Sequence, residues 1–437
     1  MKHPILRGSS YQSYVYAYPH KTAYRPFDPP LLLRDVWNSE PRSVLFLYLH
    51  VPFCTMRCGF CNLFTTAKPS DNLVSLYLDA LERQASVVRD YLPDASFARF
   101  AIGGGTPTYL DCAELSQLLD LVARTLGTDL GAIPGGIEVS PDTITREKVT
   151  LLKSRGIERV SIGVQSFIEA EAANSGRPQS RVEVDVSLQM LREEQFQTLN
   201  IDLIYGLPGQ TVESWLYSLT EALRYEPAEL YLYPLYVRPL TGLGRSHKTW
   251  DDIRLSCYRE ARAQLLASGY EQVSMRMFRR VDPANTDGPA YCVQDDGMVG
   301  LGCGARSYTR ATHYSLDYAV KPKSVKAIIT DYLTRDRQDF SLAENGFVLN
   351  IVEQKRRYLL YTLLNASGLN RQQYTEQFQT DVLADFPDLV TLIELGLFQF
   401  VGDQLLPTPT GLERSDAIGP WFYSDSVRGQ MEAYELR

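Results

Sequence analysis

Short apolar segments and amphipathic helices alternate strictly between residues 44 and 235, and this alternation constrains the fold more than any other feature. Strands are predicted at residues 44–50, 98–102, 136–139, 159–163, 198–205 and 229–235. Helices are predicted at residues 73–91, 115–126, 147–154, 181–194 and 212–223. Six strands separated by five helices imply an α/β fold with parallel strands and helices outside them. Because ligand sites in such folds collect where the strands end, one face should carry the functional residues.

The sequence outside this alternation suggests four segments in all. Residues 1–43 are rich in Tyr and Pro and are interpreted as an N-terminal arm that wraps the catalytic domain. Residues 44–240 form the core, and residues 241–348 a less regular extension on the substrate side. Residues 349–437 contain three helical patterns followed by a strand–turn–strand pattern, which predicts a small α+β domain similar to a winged helix.

Composition and charge exclude several classes of protein. The net charge is -8 and no run of Lys and Arg occurs, so a nucleic-acid partner is not expected. The first twenty residues lack the apolar core of a secretory signal, and no stretch reaches the ~18 apolar residues of a membrane span. Seven cysteines in a long chain without such a signal argue against a disulfide framework. We therefore expect a cytoplasmic protein that contacts neither nucleic acid nor membrane.

Three of the seven cysteines lie within eight residues, in the spacing Cys54-x3-Cys58-x2-Cys61. Clustered thiols in a reducing compartment point to metal or redox chemistry. Most 4Fe-4S clusters use four thiolates, so three local cysteines would leave one iron open to a small molecule. The alternative is a tetrahedral zinc site completed by a distant fourth ligand. The spacing favours a cluster but leaves the zinc site open.

A glycine-rich loop and four polar residues follow the strands after the cysteines. Three glycines in residues 103–108 (GGGTPT) let the backbone approach a ligand, although a tight turn would explain them equally. Glu138 and Asp202 lie in otherwise apolar strands, where a charge needs a ligand or an internal cation such as Arg159 as partner. Gln165 ends a strand, and Arg177 could hold a carboxylate or lie in solvent.

Taken together, these motifs resemble one family. HVPFCxxxCxxC, GGGTPT, IEVSPD, GVQSF, GRPQ and DLIYGLPGQT occur in this order and are similar to oxygen-independent coproporphyrinogen III oxidase and its radical S-adenosylmethionine (SAM) relatives. The resemblance implies a partial (βα)6 radical-SAM barrel, with the N-terminal arm and the winged-helix-like domain appended. It also implies a 4Fe-4S cluster and one or two molecules of SAM, which the reduced cluster cleaves to a 5′-deoxyadenosyl radical.

The resemblance assigns roles to residues that match the family motifs. Cys54, Cys58 and Cys61 would hold the cluster. The SAM contacts would come from ten residues: Tyr48 near the cluster, Phe60 against the adenine, Gly104, Gly105 and Thr106 at the methionine end, Glu138, Gln165, Arg177 and Asp202 at the polar groups, and Tyr236 at the adenosine. The resemblance assigns no further catalytic residue.

One departure from the family pattern bears on the reaction. Family members that decarboxylate porphyrinogens continue CxxC with one residue and a further cysteine, whereas here Cys61 is followed by Asn62-Leu63-Phe64. The expected function is hydrogen abstraction from a small molecule, a tetrapyrrole or another planar carboxylated compound. A methyl or methylene transferase using two SAM molecules and a haem chaperone on the same scaffold are the alternatives. An electron donor such as flavodoxin or ferredoxin is the expected partner.

Three further places in the sequence could have either a functional or a structural role. His50 precedes Cys54 by four residues and would tune the cluster or support the loop. In residues 300–310 (GLGCGARSYTR), Arg306 could meet an anion, and Cys303 is more simply a buried small residue than a hydrogen donor. The tyrosines around His20 would stack on a planar ligand or pack the arm onto the protein.

Overall fold

The computed structural model describes residues 4–70, 72–246, 249–281, 294 and 296–435. The N-terminal region contains helix α1 (Pro4–Arg7), strand β1 (Arg25–Leu32) and helix α2 (Leu33–Trp37). The next region contains β2 (Leu45–Val51), β3 (Phe53–Cys54), β4 (Thr66–Ala67), α3 (Leu73–Tyr91), β5 (Phe97–Gly104), α4 (Cys112–Leu126), β6 (Gly135–Val139), α5 (Arg146–Ser154), β7 (Arg159–Gln165), α6 (Glu169–Asn174), α7 (Arg181–Glu193), β8 (Thr198–Tyr205), α8 (Val212–Leu223) and β9 (Glu229–Pro234).

The second half of the chain begins with α9 (Arg254–Ala267), β10 (Tyr270–Gln272), β11 (Met277–Arg280), β12 (Met298–Leu301), β13 (Arg306–Tyr308), β14 (Thr312–Ser315), α10 (Pro322–Thr334) and β15 (Leu342–Val348). It ends with α11 (Ile351–Leu363), β16 (Leu369–Asn370), α12 (Arg371–Phe378), α13 (Val382–Asp385), α14 (Asp388–Glu394), β17 (Phe398–Val401), β18 (Gln404–Pro407), α15 (Pro409–Leu412), α16 (Ser415–Trp421) and α17 (Asp425–Glu432). No helix in the described part of the chain is long and apolar enough to cross a membrane.

Two compact units make up the chain. The barrel unit comprises residues 25–257, 288–348 and 435–437, and the terminal unit comprises residues 1–24, 258–287 and 349–434. In the barrel unit the strands follow the order β1-β15-β14-β13-β12-β2-β5-β6-β7-β8-β9. Strands β2, β5, β6, β7, β8 and β9 are all parallel to their neighbours, which confirms the predicted partial (βα)6 barrel.

Alternating burial along the barrel strands separates a helix-facing side from an interior side. In β7, the residues Val160, Ile162 and Val164 are fully buried, whereas the residues between them are partly open. In β6 and β8 the neighbours on either side are buried, whereas Glu138 is exposed and Asp202 is half-buried. Successive side chains of a strand point to opposite faces, so these polar groups line the interior of the barrel.

Each of four helices in the barrel begins immediately after a motif loop, at a capping residue that the sequence supplies. Asp111 caps α4, Thr145 caps α5, Ser180 caps α7 and Thr211 caps α8, each by accepting a hydrogen bond from a backbone N–H of the first turn. Such caps satisfy N–H groups that have no partner within the helix and fix where the helix starts. The motif loops are thereby confined to the carboxyl ends of the strands.

The N-terminal arm and the extension contain strands that the sequence did not predict. Strand β1 begins RPFDPP and pairs with β15 at one end of the strand order. Proline has no N–H to donate to a neighbouring strand, so within sheets it occurs at the edges. The three prolines made this edge strand hard to recognise from the sequence. Strands β12, β13 and β14 have three or four residues each, which is too short to show a period. The segment boundaries predicted from the sequence stay predictions.

The C-terminal helices and strands follow the predicted order. Three helices in the predicted places, α11, α12 and α14, precede the hairpin of β17 and β18. Strand β16 joins this hairpin in the order β16-β18-β17. The winged-helix-like pattern is thereby borne out in its elements, while the short helix α13 and the last three helices were not foreseen.

Candidate functional site

The cysteine loop leaves β2 at the carboxyl end of the barrel and curls through residues 52–65. The N–H of Cys61 donates to the carbonyl of Cys58 (3.1 Å), which closes a tight turn between the two thiols. Gly59 lies against the backbone of Ser175, since a Cβ at Gly59 would approach the Ser175 carbonyl oxygen to 2.5 Å. The loop is therefore held closed by backbone contacts that leave no room for a side chain at position 59.

All three predicted cluster ligands are partly accessible and have polar neighbours. The hydroxyl of Thr106 donates to Cys54 Sγ (3.7 Å), and Nη1 of Arg177 donates to Cys58 Sγ (3.5 Å). Burial raises the pKa of Cys54 to about 12, and burial also raises the pKa of Cys61. Thiols with raised pKa values stay protonated until a metal cation stabilises the thiolates, so loading of metal at this loop would release protons.

The other described cysteines lie outside the cysteine loop, in the protein interior or at the start of a helix. Cys257 and Cys303 are buried, and Cys112 starts helix α4. Burial raises the pKa of Cys303 to about 12, which agrees with its interpretation as a small buried residue. Cys292 lies outside the described residues.

The glycine-rich loop at the end of β5 forms a cradle beside Cys54. Gly104 has φ +117°, a conformation that side chains disfavour, and its N–H donates to the Glu138 carboxylate (3.0 Å). A Cβ at Gly105 would lie 2.6 Å from the Phe53 carbonyl oxygen and 3.0 Å from Cys54 Sγ. Glycine is required here because the loop backbone and the cysteine loop approach each other directly. A tight turn alone therefore does not explain the glycines of GGGTPT, because Gly105 is needed for the close contact with Cys54.

A second set of hydrogen bonds ties the first part of the cysteine loop to Arg177. Thr55 donates to Asp142, which also accepts from Ser140. Ser140 in turn accepts from Nη2 of Arg177 (2.9 Å), and the same nitrogen donates to the Gly163 carbonyl (2.6 Å). These contacts direct the guanidinium group towards Cys58. Arg177 therefore has protein partners and is not a solvated surface arginine.

Two interior carboxylates differ in their surroundings. Asp202 accepts from the Asn200 amide (2.8 Å), and desolvation raises the pKa of Asp202 to about 7 although this hydrogen bond lowers it. The Glu138 carboxylate raises the same pKa further. Burial raises the pKa of Glu138 as well, with the Gly104 N–H and Arg159 acting against it. Because Arg159 itself pairs with Glu229, neither carboxylate has a full cationic partner, which suits a ligand that brings donors or positive charge.

Gln165 reaches the interior through an irregularity at the end of β7. Its φ is +69°, and the pairing of β7 with β8 shifts register between Gly163 and Gln165. A Cβ on Gly163 would lie 2.8 Å from the Gln165 amide nitrogen, so the side chain folds back over the strand. Such a bulge redirects a side chain at the expense of regular pairing, and bulges of this kind concentrate at functional sites.

Phe60 borders an apolar cluster at the carboxyl ends of β8 and β9. Phe60 packs with Trp250 against the buried residues Ile204, Leu207, Leu235 and Leu243. Tyr236 follows β9, with the guanidinium carbon of Arg238 4.8 Å from the centre of its ring. An aromatic side chain beside an apolar wall offers one face to a planar base.

On the other side of the interior, Tyr48 and His50 of β2 face the cysteine and glycine loops. The Tyr48 hydroxyl and His50 Nδ1 are 3.3 Å apart, and His50 Nε2 is 2.8 Å from the Phe64 carbonyl oxygen. A Cβ at Gly104 would come within 2.8 Å of the His50 ring, so the imidazole fills the space beneath the glycine loop. Burial raises the pKa of Tyr48, and Glu138 raises it further while Arg306 lowers it. His50 thus supports both loops, and Arg306 is within electrostatic reach of Tyr48.

Sequence reasoning missed four polar residues that hold this site. Thr55, Ser140, Asp142 and Asn200 contact the predicted site residues through the hydrogen bonds described above. Asn200 could have been found, because it lies two residues before Asp202 and therefore on the same strand face. Nothing in the sequence indicates that Thr55 and Asp142 meet, since 87 residues separate them.

Comparison with known proteins adds to this geometry. The family model described as the radical SAM superfamily matches residues 48–221. The oxygen-independent coproporphyrinogen III oxidase of Escherichia coli (strain K12) is 31% identical over 68% of this chain and 69% of its own length. This chain belongs to the radical SAM superfamily, among the relatives of that oxidase. It is thus a radical SAM oxidoreductase that acts on a small molecule, and membership implies a 4Fe-4S cluster and SAM as cofactors.

Two further likenesses extend over more of the chain. The radical SAM barrel and the C-terminal elements match the structure titled coproporphyrinogen III oxidase from Escherichia coli with a TM-score of 0.78, 24% identity, and coverage of 94% of this chain and 96% of the other. At that identity the match shows the fold. A protein named haem chaperone HemW, from Bacillus subtilis (strain 168), is 27% identical over 80% of this chain and 91% of its own length.

The residues present fit the implied cofactors. Three thiols on one short loop suit a cluster with one open iron, and Gly105 leaves the space beside Cys54 free of side chains. A zinc site would need a fourth protein ligand. Membership of the radical SAM superfamily favours the cluster over zinc.

Proposed function

We propose that this protein binds a 4Fe-4S cluster through Cys54, Cys58 and Cys61 and abstracts a hydrogen atom from a tetrapyrrole or similar planar, carboxylated molecule. The observation that carries the proposal is the convergence of the three thiols, the glycine cradle and the interior carboxylates on one end of the barrel. When bound, the reduced cluster and SAM supply a 5′-deoxyadenosyl radical.

The chain's own residues would orient SAM. The backbone of Gly104, Gly105 and Thr106 would line the methionine end, where close approach requires the absence of side chains. The polar groups of SAM would be held by Glu138, Gln165, Arg177 and Asp202. A positively charged ligand among under-neutralised carboxylates gains Coulomb energy that water would screen, so the enclosed interior strengthens these contacts.

The adenosine would lie between two aromatic groups. Phe60 would stack against the adenine, and Tyr236 would contact the adenosine from the end of β9. Tyr48 would lie near the cluster and SAM, with its hydroxyl oriented by His50. With SAM bound, these residues would keep water away from the reacting atoms.

The tetrapyrrole class rests on the names of the relatives and on residues next to the SAM site. The relatives described above act on coproporphyrinogen III or carry haem by name. Gly300 pairs with Tyr48 and lies against the backbone of Arg306, so Arg306 and Tyr48 are near each other across β12. A planar molecule with carboxylates matches that pair through stacking and a charge-assisted hydrogen bond. We further propose a cytoplasmic location and a flavodoxin or ferredoxin as electron donor, without a nucleic-acid or membrane partner.

The deciding experiment is anaerobic reconstitution with iron and sulfide, followed by addition of dithionite and SAM. We expect about four irons per chain and release of 5′-deoxyadenosine, with both lost in Cys58→Ala. The control variant Cys112→Ala alters a thiol at the start of helix α4 and should keep both. Normal iron content and 5′-deoxyadenosine release in Cys58→Ala would refute the ligand assignment. Incubation with coproporphyrinogen III then tests the substrate class by loss of carboxyl groups.

A second candidate function is haem transfer on the same scaffold. It is favoured by the run Asn62-Leu63-Phe64 after Cys61, which lacks the further cysteine of the decarboxylating family members. Haem titration of the reconstituted protein separates the two. Stoichiometric haem binding without substrate turnover would favour the chaperone, and turnover of a porphyrinogen with SAM consumption would exclude it.

A further inference from the structure

Three arginines lie on the cysteine loop or on the loop that packs against it. Arg57 stands between Cys54 and Cys58, and Arg238 and Arg245 belong to the turn formed by residues 238–246. This turn contacts the cysteine loop through the Leu243 N–H, which donates to the Gly59 carbonyl (2.8 Å). We call Arg57, Arg238 and Arg245 the arginine rim.

The turn that carries two members of the arginine rim is compact and seated closely. A Cβ at Gly242 would lie 3.0 Å from the Gly59 Cα, so the backbones of the two loops touch. Thr241 donates through its hydroxyl to the Arg238 carbonyl (2.7 Å), which closes the turn. The rim therefore stays next to the cysteine loop by backbone packing and not by flexible side chains.

Carboxylates of the described residues do not neutralise the positive charge of the arginine rim. Within the described ranges, no carboxylate oxygen lies within 4.0 Å of any of its three guanidinium groups. Their neighbours are the Cys61 carbonyl at 3.5 Å from Arg57, the Thr241 carbonyl at 3.4 Å from Arg245, and the Tyr236 ring below Arg238.

Other arginines on the outer helices of the barrel unit do have carboxylate partners. Arg181 and Arg224 share Glu221, and Arg192 pairs with Glu226. The chain as a whole has a net charge of -8. Three arginines without a carboxylate partner among the described residues thus lie on or against the cysteine loop of an acidic protein, and they add positive potential beside the thiols.

Exposed apolar surface adjoins this charge. Leu63, two residues after Cys61, is 48% exposed, and its neighbour Asn62 is exposed as well. Arg245 is exposed, and Arg57 and Arg238 are half-buried. A small apolar contact with charges around it is the make-up of weak electron-transfer complexes, which bury little area and depend on electrostatic steering.

We propose that the arginine rim is the docking surface for an acidic one-electron carrier protein that reduces the cluster. The inference rests on the proposed function, because only a cluster at this loop needs an external electron. The carrier is oxidised by one electron and the cluster is reduced by one, with no bond made or broken and no proton transferred. The rim offsets the repulsion that two acidic proteins would otherwise feel and orients the carrier at the cysteine loop.

The test compares a protein reductant with a small one. Cluster reduction in the reconstituted full-length protein is followed by loss of visible absorbance, with either dithionite or an acidic flavodoxin kept reduced by its reductase and NADPH. In Arg245→Glu we expect the KM for flavodoxin to rise about fivefold, and Arg245→Gln should give a smaller rise. The dithionite rate should not change, since a small reductant needs no docking. The control Arg42→Glu reverses a charge that precedes β2, at the opposite end of that strand from the cysteine loop.

Salt provides the second readout. The flavodoxin rate of the wild-type protein should fall as ionic strength rises, while the dithionite rate stays level. Equal flavodoxin KM values for wild type, Arg245→Glu and Arg42→Glu at low salt would overturn the docking surface. Failure of the proposed function is seen separately, as normal cluster reduction by flavodoxin without cleavage of SAM.

Discussion

At the scale of single residues, the carboxyl groups of Glu138 and Asp202 are costly to ionise in the free protein. Glu138 and Asp202 both project from the barrel strands, and the Glu138 carboxylate raises the pKa of Asp202. Arg159 lowers the pKa of both groups but is itself paired with Glu229, so it offsets only part of their desolvation cost. A ligand that brings hydroxyl donors or positive charge would favour their ionised forms, so the arrangement costs stability in the free protein and gains affinity for the ligand.

Asp202 therefore predicts a pH dependence of SAM binding. Desolvation raises the pKa of Asp202 to about 7, so below that pH the carboxyl group is protonated in the free protein. If binding needs the carboxylate, the affinity for SAM should rise about tenfold from about pH 6 to about pH 8. Equilibrium binding to the reconstituted protein measures it, and Asp202→Asn should bind SAM more weakly with a flatter profile. An unchanged profile in Asp202→Asn would remove Asp202 from the SAM site.

Asp202 also predicts a pH dependence of folding stability: stability should fall as pH rises, whereas the affinity for SAM should increase. A carboxyl group whose folded pKa lies above its unfolded pKa stabilises the fold less as pH rises from about 4 to about 7, because only the unfolded state releases the proton. Above that window the cost is fully present. At pH 8 the cofactor-free Asp202→Asn protein should thus be more stable than wild type, by about 2 kcal/mol, in thermal unfolding. A lower melting temperature would contradict the assigned burial.

At the scale of elements, the loops after the strands carry the site because strands and helices on both sides fix their ends. The glycine loop starts where β5 ends and is followed by the Asp111 cap of α4. Between these fixed points, Gly105 touches the cysteine loop directly. Close backbone contact between two loops from different βα units therefore sets the position of Cys54, and a single methyl group would disturb it.

Gly105→Ala tests this contact. The added Cβ would meet the Phe53 carbonyl oxygen and Cys54 Sγ, both closer than atoms pack without displacement. We expect a loss of about 1–3 kcal/mol in stability and incomplete iron incorporation, measured by iron analysis after reconstitution. Gly131→Ala is the matched control, because its Cβ would meet only the Gly156 Cα at 3.6 Å, an ordinary contact. Full iron content in Gly105→Ala would show that the cradle does not position Cys54.

At the scale of the whole molecule, the terminal unit is assembled from three distant stretches of chain. Arg276 pairs with Asp416 through two hydrogen bonds, and both side chains are almost fully buried. The Arg276 guanidinium also lies 3.8 Å from the centre of the Tyr14 ring, and the Ser13 N–H donates to the Asp416 carbonyl. One buried ion pair thus joins residues from all three stretches of the terminal unit.

The buried pair predicts a large effect of a single substitution. Asp416→Ala would leave the Arg276 charge buried without its partner, which typically costs about 3–5 kcal/mol. Thermal or denaturant unfolding measures the loss, and Asp403→Ala, at an exposed turn, serves as the control. A change in stability no larger than that of the control would mean that the pair does not stabilise the terminal unit.

Two tyrosines of the N-terminal arm have packing partners far away in the sequence. Tyr18 is buried and donates to Glu353, and its ring lies 5.3 Å from that of Tyr423. Tyr14 stacks with Arg276. These contacts favour packing over ligand stacking for the two residues, and no local pattern could have shown it, because the partners are more than 250 residues away.

The sequence by itself determined the alternation of strands and helices, the parallel barrel and the residue types at the strand ends, because period, capping residues and glycines act over a few residues. It also indicated the cysteine loop, since three ligands of one cluster fit on eight residues. Only the tertiary structure decided that Gly105 meets Cys54, that Thr55 is held by Asp142, and that Leu243 bonds to Gly59 of the cysteine loop. Those contacts join different βα units, and their geometry follows from the packing of the complete sheet.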